Sequence, residues 1–269
     1  MSGAINVDGL TVRFGGVTAL DGVSFEVPEG GLTALIGPNG AGKTSLFNCV
    51  SGIYKPTEGT IRLNGRDTGG LAQHKIAQLG LARTFQTPAL FPGLSVVENI
   101  MTGRYLHGRG GMVAAMLRLP SVVRDEIAQR VRVEEILDLL EISHLRHAAV
   151  QDLSYGFQKR VELGRALAQD PSVLLLDEPM AGMTVDEKED MSAFILASRE
   201  ELGNTVLLIE HDMAVVMDLA EHIVVLDFGR KIGDGTPDEV RRNPAVVAAY
   251  LGAEAAEEGV VVALPGGES

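Results

Sequence analysis

The sequence predicts an α/β fold built on a mixed, mainly parallel sheet, with an antiparallel region at one edge and a helical insertion. Two short runs without polar interruption, Val173–Leu176 and Val206–Ile209, are typical of parallel strands covered on both faces. A third run, Leu32–Ile36, ends in glycine and is followed by a helix-like segment, Thr44–Val50. Strands that alternate with helices along a chain indicate a parallel sheet with helices on its faces.

The first part of the chain predicts the antiparallel region. Apolar and polar residues alternate over residues 5–27, and Gly15–Gly16 interrupts the alternation. A period of two is the pattern of a half-covered strand, and paired glycines favour a turn, so we expect a hairpin region at the domain edge. A turn at Lys55–Gly59 and a strand at Thr60–Leu63 follow, and residues 67–82 are expected to form a helix and a connection.

Residues 88–152 predict a helical lobe inserted into this core. Strand-like runs are absent from the stretch, and Arg132–Leu145 carries apolar residues at close to helical spacing. The core then resumes with two helices, a closing hairpin and a final helical region, at Phe157–Ala168, Glu189–Leu202, Ile223–Gly233 and Pro237–Tyr250.

The bulk composition is that of a packed globular protein, with 45% hydrophobic and 22% charged residues among 269. The net charge of −13 argues against a nucleic-acid partner, because such a surface needs clustered Lys and Arg. No run approaches the ~18 apolar residues of a membrane span. We expect residues 1–252 to form one domain and the Ala-, Glu- and Gly-rich residues 253–269 to be a flexible tail.

One glycine-rich segment predicts nucleotide binding. Residues 37–44 read Gly-Pro-Asn-Gly-Ala-Gly-Lys-Thr and match the P-loop pattern G-x-x-x-x-G-K-[S/T] between a predicted strand and a predicted helix. The glycines let backbone N–H groups converge on phosphates, and the following helix presents its positive end to the same anion. Lys43 can reach the β- and γ-phosphates, and Thr44 can bind Mg²⁺. The predicted ATP contacts are Asn39, Gly40, Ala41, Gly42, Lys43, Thr44 and Ser45.

Two adjacent carboxylates, Asp177 and Glu178, end the apolar run that begins at Val173. Ligands bind outside the carboxyl ends of parallel strands, so both acids are expected to face the P-loop. Asp177 is placed to hold Mg²⁺, and Glu178 is placed to polarise an attacking water. A solvated strand end would show the same two acids, so the pair alone does not decide between these interpretations.

Four further features, together with the P-loop and the two acids, resemble the ATP-binding-cassette (ABC) ATPase family in order and approximate spacing. Leu153-Ser-Tyr-Gly-Phe-Gln158 resembles the family signature, whose usual form is L-S-G-G-Q. The family also has an adenine-stacking aromatic early in the chain, a glutamine before the helical lobe and a histidine after a later strand. Phe14, Gln86 and His211 stand at these places, and the resemblance covers residues 5 to about 252.

The resemblance implies that ATP is sandwiched between the P-loop of one subunit and the signature of a second. Ser154, Gly156 and Gln158 would then contact the nucleotide of a partner. Gln86 would sense Mg²⁺ and water, and His211 would contact the γ-phosphate. The implied catalytic residues are Glu178, His211, Gln86 and Lys43, and the implied metal contacts are Thr44, Gln86 and Asp177.

Two departures from the family pattern affect the expected shared site. Tyr155 stands at the first glycine of the signature, and Phe157 precedes Gln158. The family usually has S-A-L-D after the acids, and the Asp contacts the other subunit. This chain has Ala181-Gly-Met-Thr184, and Thr184 can hydrogen-bond but carries no charge. We therefore expect a cross-dimer contact that is weaker or differently built.

Details beyond the common motifs resemble the ATP-binding subunits of branched-chain amino-acid importers, the LivG type. They are residues 80–86 and 90–99, a long segment at Thr102–Arg124, the Tyr155 signature and the ending Asn243–Leu251. Such subunits lie at the cytoplasmic face of the membrane and dock on two transmembrane permeases, to which an extracytoplasmic binding protein delivers substrate. Their ATPase partner is usually a sister chain, and self-pairing is the alternative.

Nothing in this chain reads the transported substrate, so other members of the family stay open. Importers of urea, other amino acids or small carboxylates fit the same motifs. The long segment Thr102–Arg124 counts against a lipopolysaccharide exporter. A soluble ABC ATPase without a transport role is a further alternative. Such proteins usually carry two ATPase cores or a long coiled coil, whereas this chain has one core and no sustained heptads.

Overall fold

The computed structural model describes residues 3–107 and 120–257, and the strands within these ranges form two sheets. The strands in chain order are β1 (Ile5–Phe14), β2 (Val17–Val27), β3 (Leu32–Ile36), β4 (Glu58–Leu63), β5 (Arg66–Asp67), β6 (Leu81–Arg83), β7 (Val173–Asp177), β8 (Thr205–Ile209), β9 (His222–Asp227) and β10 (Arg230–Gly235). The helices in the same ranges are α1 (Lys43–Val50), α2 (Gln73–Gln78), α3 (Val96–Thr102), α4 (Pro120–Leu139), α5 (Tyr155–Leu167), α6 (Val185–Leu202), α7 (Met213–Leu219), α8 (Pro237–Arg242) and α9 (Pro244–Glu257).

The main sheet has the strand order β10-β9-β3-β8-β7-β6. Strands β9 to β6 are parallel, and β10 pairs with β9 in an antiparallel hairpin. Every residue of β3, β7 and β8 is buried, including Thr33 of β3, as the mostly apolar runs predict for strands covered on both faces. The predicted mainly parallel sheet is confirmed.

A second sheet, β2-β1-β4-β5, is wholly antiparallel and corresponds to the predicted edge region. It shares an apolar core with α1 and with one face of the main sheet. Alternate residues of β7 divide between this core and the one on the opposite face, because Val173 and Leu175 lie in the first and Leu174 and Leu176 in the second. The main sheet is therefore covered on both sides.

Helix α3 and the end of α4 pack closely against α5. A Cβ atom on Gly103 would lie 2.2 Å from the carbonyl oxygen of Arg165, and one on Gly164 would lie 3.0 Å from side-chain atoms of Ile100 and Leu140. These glycines let α3 and the end of α4 approach the backbone of α5. The predicted lobe boundaries at residues 88 and 152 stay a prediction.

Several secondary-structure elements differ from the sequence-based prediction. Strand β6 and helix α7 were missed, because a strand of three residues and a helix of seven show too little periodicity. The final helical region is two helices, since Pro244 cannot continue α8. Helix α9 continues past position 252 to Glu257. The rest of the predicted tail and residues 108–119 lie outside the described residues.

Helix α5 also begins earlier than predicted. It starts at Tyr155 and not at Phe157, so the signature forms the first turn of the helix and does not precede it. In the two ranges that the structure covers, every helix is too short or too polar to cross a bilayer.

Candidate functional site

The carboxyl ends of four neighbouring strands carry the predicted catalytic residues. In the order β3-β8-β7-β6, the P-loop follows β3, His211 follows β8, Glu178 follows β7 and Gln86 follows β6. Because these strands are parallel, their carboxyl ends lie at one edge of the sheet. The topology thus brings together residues that are far apart in the sequence.

A cavity of about 470 Å³ opens at this edge. Its size falls in the range of small-molecule sites. The predicted P-loop contacts from Asn39 to Ser45 all line it, together with Glu178 and His211. Val17 and Phe228 also line it, and the sequence analysis did not identify either. Phe228 is 86% exposed and adopts a positive φ of 42° in the β9–β10 turn.

The glycines of the P-loop are required by its close packing. Gly42 has a φ of 101°, and a Cβ atom there would lie 2.6 Å from the carbonyl oxygen of Ala19. A Cβ atom on Gly37 would lie 2.0 Å from the carbonyl oxygen of Leu226. The loop is therefore pressed against β2 and β9, and α1 begins directly after it with its positive end toward the cavity.

The ammonium group of Lys43 folds back over the P-loop. Its Nζ atom donates hydrogen bonds to the carbonyl oxygens of Gly37 at 2.6 Å and Pro38 at 3.0 Å. Burial lowers the pKa of Lys43, and the charges of Glu178 and Asp177 oppose that shift. The buried cation thus has backbone partners close to the expected phosphate position.

Glu178 is held through both carboxylate oxygens. Gln86 Nε2 donates to Oε2 at 2.8 Å, and His211 Nε2 lies 2.6 Å from Oε1. Glu178 also adopts a φ of 50°, a strained conformation for a residue with a side chain. Its N–H donates to the carbonyl oxygen of Ile209 at 3.0 Å, and its own carbonyl accepts from Ala181. These bonds fix the direction of the carboxylate, and the geometry brings three of the predicted catalytic residues into contact.

Asp177 forms a buried ion pair with Arg83, which the sequence analysis missed. The distance from Arg83 Nη2 to Asp177 Oδ2 is 2.8 Å, and each side chain is 8% exposed. Arg83 also donates to Asn48 Oδ1 and Ser51 Oγ of the P-loop helix and its end. It lies against the rings of Phe47 and Phe85. Arg83 therefore links α1, β7 and the segment that carries Gln86.

The signature residues lie apart from the P-loop cavity, and none of Ser154, Gly156 and Gln158 lines it. Ser154 is the N-cap residue of α5, but its side chain makes no capping hydrogen bond. Gly156 is buried, and a Cβ atom there would lie 2.3 Å from Glu187 Oε1. Gln158 Nε2 donates to the carbonyl oxygen of Leu153 at 3.0 Å, so this amide is bound within its own chain.

Phe14, the predicted adenine-stacking residue, is 46% exposed and does not line the cavity. Its ring packs edge-on against Tyr54, with 5.0 Å between the ring centroids.

The variant signature residue Tyr155 lies near the segment that carries Gln86. Its hydroxyl is 3.5 Å from the carbonyl oxygen of Gln86, and its ring is 3.4 Å from the position of a Cβ atom on Gly182.

Thr184 has a local structural role that its place in the family pattern does not suggest. It is the N-cap residue of α6, and its Oγ1 accepts from the N–H of Glu187 at 3.3 Å. The carboxylate of Glu187 accepts from the N–H of Thr184 at 3.0 Å, which completes a capping box.

We expect Thr184→Ala to lower the free energy of unfolding by about 1 kcal/mol, because the cap is lost. Thr184→Asp should retain most of that stability, since Asp is also a good N-cap residue. Urea unfolding followed by circular dichroism measures both variants. An equal loss in the two variants would contradict the capping role.

Three further buried charges contact the segments that carry Gln86, Glu178 and His211, and the sequence did not indicate them; they are Lys159, Glu162 and Glu210. Glu210 Oε1 accepts from the N–H of Met180 at 2.8 Å, and Oε2 accepts from the N–H of His211. Burial raises the pKa of Glu210, and these two hydrogen bonds oppose the shift. Glu210 thus ties the turn after Glu178 to the segment of His211. No spacing rule marks these three residues in the sequence, since their partners come from other elements.

A parallel sheet whose edge joins a P-loop to an aspartate–glutamate pair, a glutamine and a histidine defines a nucleotide-binding ATPase. The chain belongs to the ABC transporter family, because the family model described as ABC transporter matches residues 20–181. A second family model, described as branched-chain amino acid ATP-binding cassette transporter, matches residues 230–256. The chain is accordingly an ATP hydrolase of the ABC type.

Known proteins resemble this chain along nearly its whole length. The high-affinity branched-chain amino acid transport ATP-binding protein BraF of Pseudomonas aeruginosa is 42% identical over 248 residues, which are 92% of this chain and 97% of BraF. A solved ABC transporter cassette in its ADP conformation has a TM-score of 0.81 and 31% identity, covering 94% of this chain and all of that one. A dimeric cassette in a post-hydrolysis state, bound to ADP and Pi, has a TM-score of 0.73 and 26% identity, covering 87% of this chain and 98% of that one.

Proposed function

We propose that this chain hydrolyses Mg-ATP to power a membrane importer of branched-chain amino acids. The main observation in favour of ATP hydrolysis is the position of the Glu178 carboxylate, which is held between Gln86 and His211 at the P-loop cavity. The substrate part is supported by the identity with BraF and by the family model that matches residues 230–256.

Of the three predicted magnesium contacts, Thr44 lines the cavity, whereas Asp177 and Gln86 adjoin Glu178, which lines it. Among residues 3–107 and 120–257, no group of three His, Cys, Asp or Glu side chains could hold a metal by itself. Mg²⁺ in nucleotide sites commonly uses one or two carboxylates, a hydroxyl, phosphate oxygens and water. Thr44, Asp177 and Gln86 supply a hydroxyl, a carboxylate and an amide, and these would hold the ion. Bound there, Mg²⁺ would neutralise charge on the phosphates.

In the proposed reaction, the P-loop amides and Lys43 bind the β- and γ-phosphates. Lys43 then exchanges the carbonyl oxygens of Gly37 and Pro38 for phosphate oxygens. Glu178 orients the attacking water and accepts its proton on the carboxylate, while Gln86 and His211 keep that carboxylate in place. Catalysis is positioning and charge stabilisation, as in other phosphoryl transfers.

We propose that a second ATPase subunit completes the site. Ser154 and the amino-terminal turn of α5 would contact the γ-phosphate of the nucleotide bound to that subunit. The position of the signature away from its own P-loop cavity and the dimeric cassette of similar fold support this arrangement. A sister chain is the proposed partner, with self-pairing as the alternative.

We also propose that the chain acts at the cytoplasmic face of the membrane. There the chain would dock on transmembrane permeases, which receive substrate from an extracytoplasmic binding protein. We expect no nucleic-acid partner, in keeping with the net charge of −13.

A cell that lacks this chain is expected to lose uptake of radiolabelled leucine, isoleucine and valine. Wild-type chain should restore uptake and Glu178→Gln should not, because import needs hydrolysis and not only binding. Urea and unrelated amino acids serve as control substrates, and lipopolysaccharide at the cell surface is the control for export. Loss of urea uptake with normal leucine uptake would contradict the substrate and leave the ATPase role standing.

Purification of the tagged chain from membranes tests the transporter role separately. Permease subunits and a sister ATPase are expected to follow it. Recovery of ribosomes or DNA-repair factors without any permease would instead favour a soluble ABC ATPase.

A further inference from the structure

A buried lysine of the signature helix reaches the backbone of two catalytic segments. Lys159 is only 2% exposed. Its Nζ atom donates to the carbonyl oxygen of Gln86 at 2.6 Å, and lies 3.3 Å from the carbonyl oxygens of Phe85 and Glu178. One ammonium group therefore joins the segment after β6 to the turn after β7. The carbonyl oxygen of Glu178 also accepts from the N–H of Ala181, within its own turn.

Glu162 lies three residues further along the same helix, so its side chain is on the same face as Lys159. It is 2% exposed, and its Oε1 atom is within hydrogen-bond distance of the N–H groups of Phe85 at 3.2 Å and Ala89 at 3.4 Å. Lys159 and Glu162 thus bind carbonyl and N–H groups of one short segment from a single helix face. The segment that carries Gln86 is fixed to α5 by two buried charges.

Such an arrangement needs an explanation beyond packing. Burying charged groups is unfavourable, and apolar residues of similar volume often give equal or greater stability. Burial indeed lowers the pKa of Lys159, although the acids Glu162, Glu210, Asp177 and Glu178 raise it. Burial raises the pKa of Glu162, against the influence of Lys159 and of the two N–H groups. What Lys159 and Glu162 supply, and apolar residues could not, is a set of directional hydrogen bonds to the segments that carry Gln86 and Glu178.

We propose that Lys159 is a positioning residue for ATP hydrolysis, which holds Gln86 and Glu178 at the separation that the reaction requires. Its hydrogen bonds end on the backbone of both residues. Without Lys159, side-chain contacts such as the Gln86–Glu178 hydrogen bond and the Arg83–Asp177 pair would still join the two segments, but the link between their backbone carbonyl groups would be lost. A displacement of about 1 Å in a catalytic group is enough to lower a rate by about 100-fold. The inference rests on the proposed catalytic roles of Glu178 and Gln86.

The position of Lys159 on α5 gives this role a second aspect. Helix α5 begins with Ser154 as its N-cap residue, in the turn that would contact the nucleotide of the partner. Because Lys159 is fixed on the same helix, a shift of α5 would move the backbone of Gln86 and Glu178 in its own subunit. Occupancy of one site would then affect the geometry of the other through a single helix.

The test compares Lys159→Met, Lys159→Arg and the control Lys231→Met in the full chain assembled with its ATPase and permease partners. Lys231 pairs with Asp234 on β10, at the opposite edge of the main sheet from Gln86. We measure kcat and KM for ATP, ATP affinity and the thermal midpoint of unfolding. Lys159→Met should lower kcat by about 100-fold with KM and affinity within about threefold, and Lys159→Arg should recover at least tenfold of that loss. Lys231→Met should match wild type.

Combination with Gln86→Ala separates positioning from a general structural role. If Lys159 acts through Gln86, the double variant Lys159→Met/Gln86→Ala should lose much less activity than the product of the two single losses. A kcat of Lys159→Met close to wild type, a loss explained by weaker ATP binding, or independent losses in the double variant would each overturn the proposal. Should Lys159→Met not fold, Lys159→Gln is measured instead, and the same criteria apply because its shorter, uncharged side chain cannot reach all three carbonyl oxygens.

The Glu178→Gln variant keeps the two proposals distinguishable. Normal hydrolysis by Glu178→Gln would overturn the proposed catalytic function itself. An inactive Glu178→Gln together with a fully active Lys159→Met would overturn only the positioning role of Lys159.

Discussion

Glu178→Gln is expected to abolish ATP turnover while leaving ATP binding intact. The amide has the shape of the carboxylate and still offers an oxygen to Gln86, but it cannot accept a proton from the attacking water. Loss of a general base commonly lowers a rate by about 10²–10⁴-fold. The side chain is not a phosphate ligand in the proposed reaction, so nucleotide affinity should change little.

Phosphate release and equilibrium binding of ATP measure the two properties separately. With the partner subunit present, the variant should accumulate as an ATP-bound dimer, which size-exclusion chromatography detects. Glu200→Gln makes the same chemical change at an exposed position of α6 and should hydrolyse ATP normally. Hydrolysis by Glu178→Gln at the wild-type rate would remove Glu178 from its role.

Arg83→Met is expected to lower the free energy of unfolding by about 3–5 kcal/mol, the effect of removing one partner of a buried ion pair. The carboxylate of Asp177 would be left without its guanidinium at a position that is 8% exposed. The Asn48 and Ser51 oxygen atoms that accept from Arg83 would lose the same partner. Both changes leave buried polar groups with fewer hydrogen-bond partners, and this loss accounts for most of the expected decrease in the free energy of unfolding.

Chemical denaturation of two further variants tests this explanation. Arg13→Met breaks the exposed Arg13–Glu58 pair, whose side chains are 47% and 61% exposed, and should cost at most about 1 kcal/mol. The double variant Arg83→Met/Asp177→Asn should recover part of the lost stability, because no isolated charge remains. If Arg83→Met is no less stable than Arg13→Met, the buried pair does not hold the structure as described.

Features that depend on local chemistry were predictable from the sequence. The P-loop was identifiable because the glycines at 37, 40 and 42 and the Lys43–Thr44 pair lie within eight consecutive residues, and each has a stated role toward phosphate. The strands β3, β7 and β8 were identifiable because residues buried on both faces leave a mostly apolar run, in which Thr33 of β3 is an exception. Gln86 and His211 were then assigned because they stand where the family has its glutamine and its histidine.

Features that depend on long-range packing were not predictable. Arg83 pairs with a carboxylate 94 positions away, and Lys159 binds carbonyl groups 73 positions away. The strand order and the packing of α5 bring these partners together, and no local pattern encodes either. The role of Thr184 was not predicted for a different reason. The family pattern predicts a contact with the other subunit at this position, whereas the Thr184 hydroxyl caps a helix of its own chain.

The fold of the Lys43 side chain over its own loop bears on product release. After hydrolysis, a departing nucleotide would leave this buried ammonium without its anionic partners. The carbonyl oxygens of Gly37 and Pro38 lie at 2.6 and 3.0 Å and can take the place of those partners at once. If Lys43 binds phosphate as proposed, these carbonyl oxygens would stabilise its charge when the spent nucleotide leaves, and exchange of ADP for fresh ATP would be a substitution of ligands around one lysine.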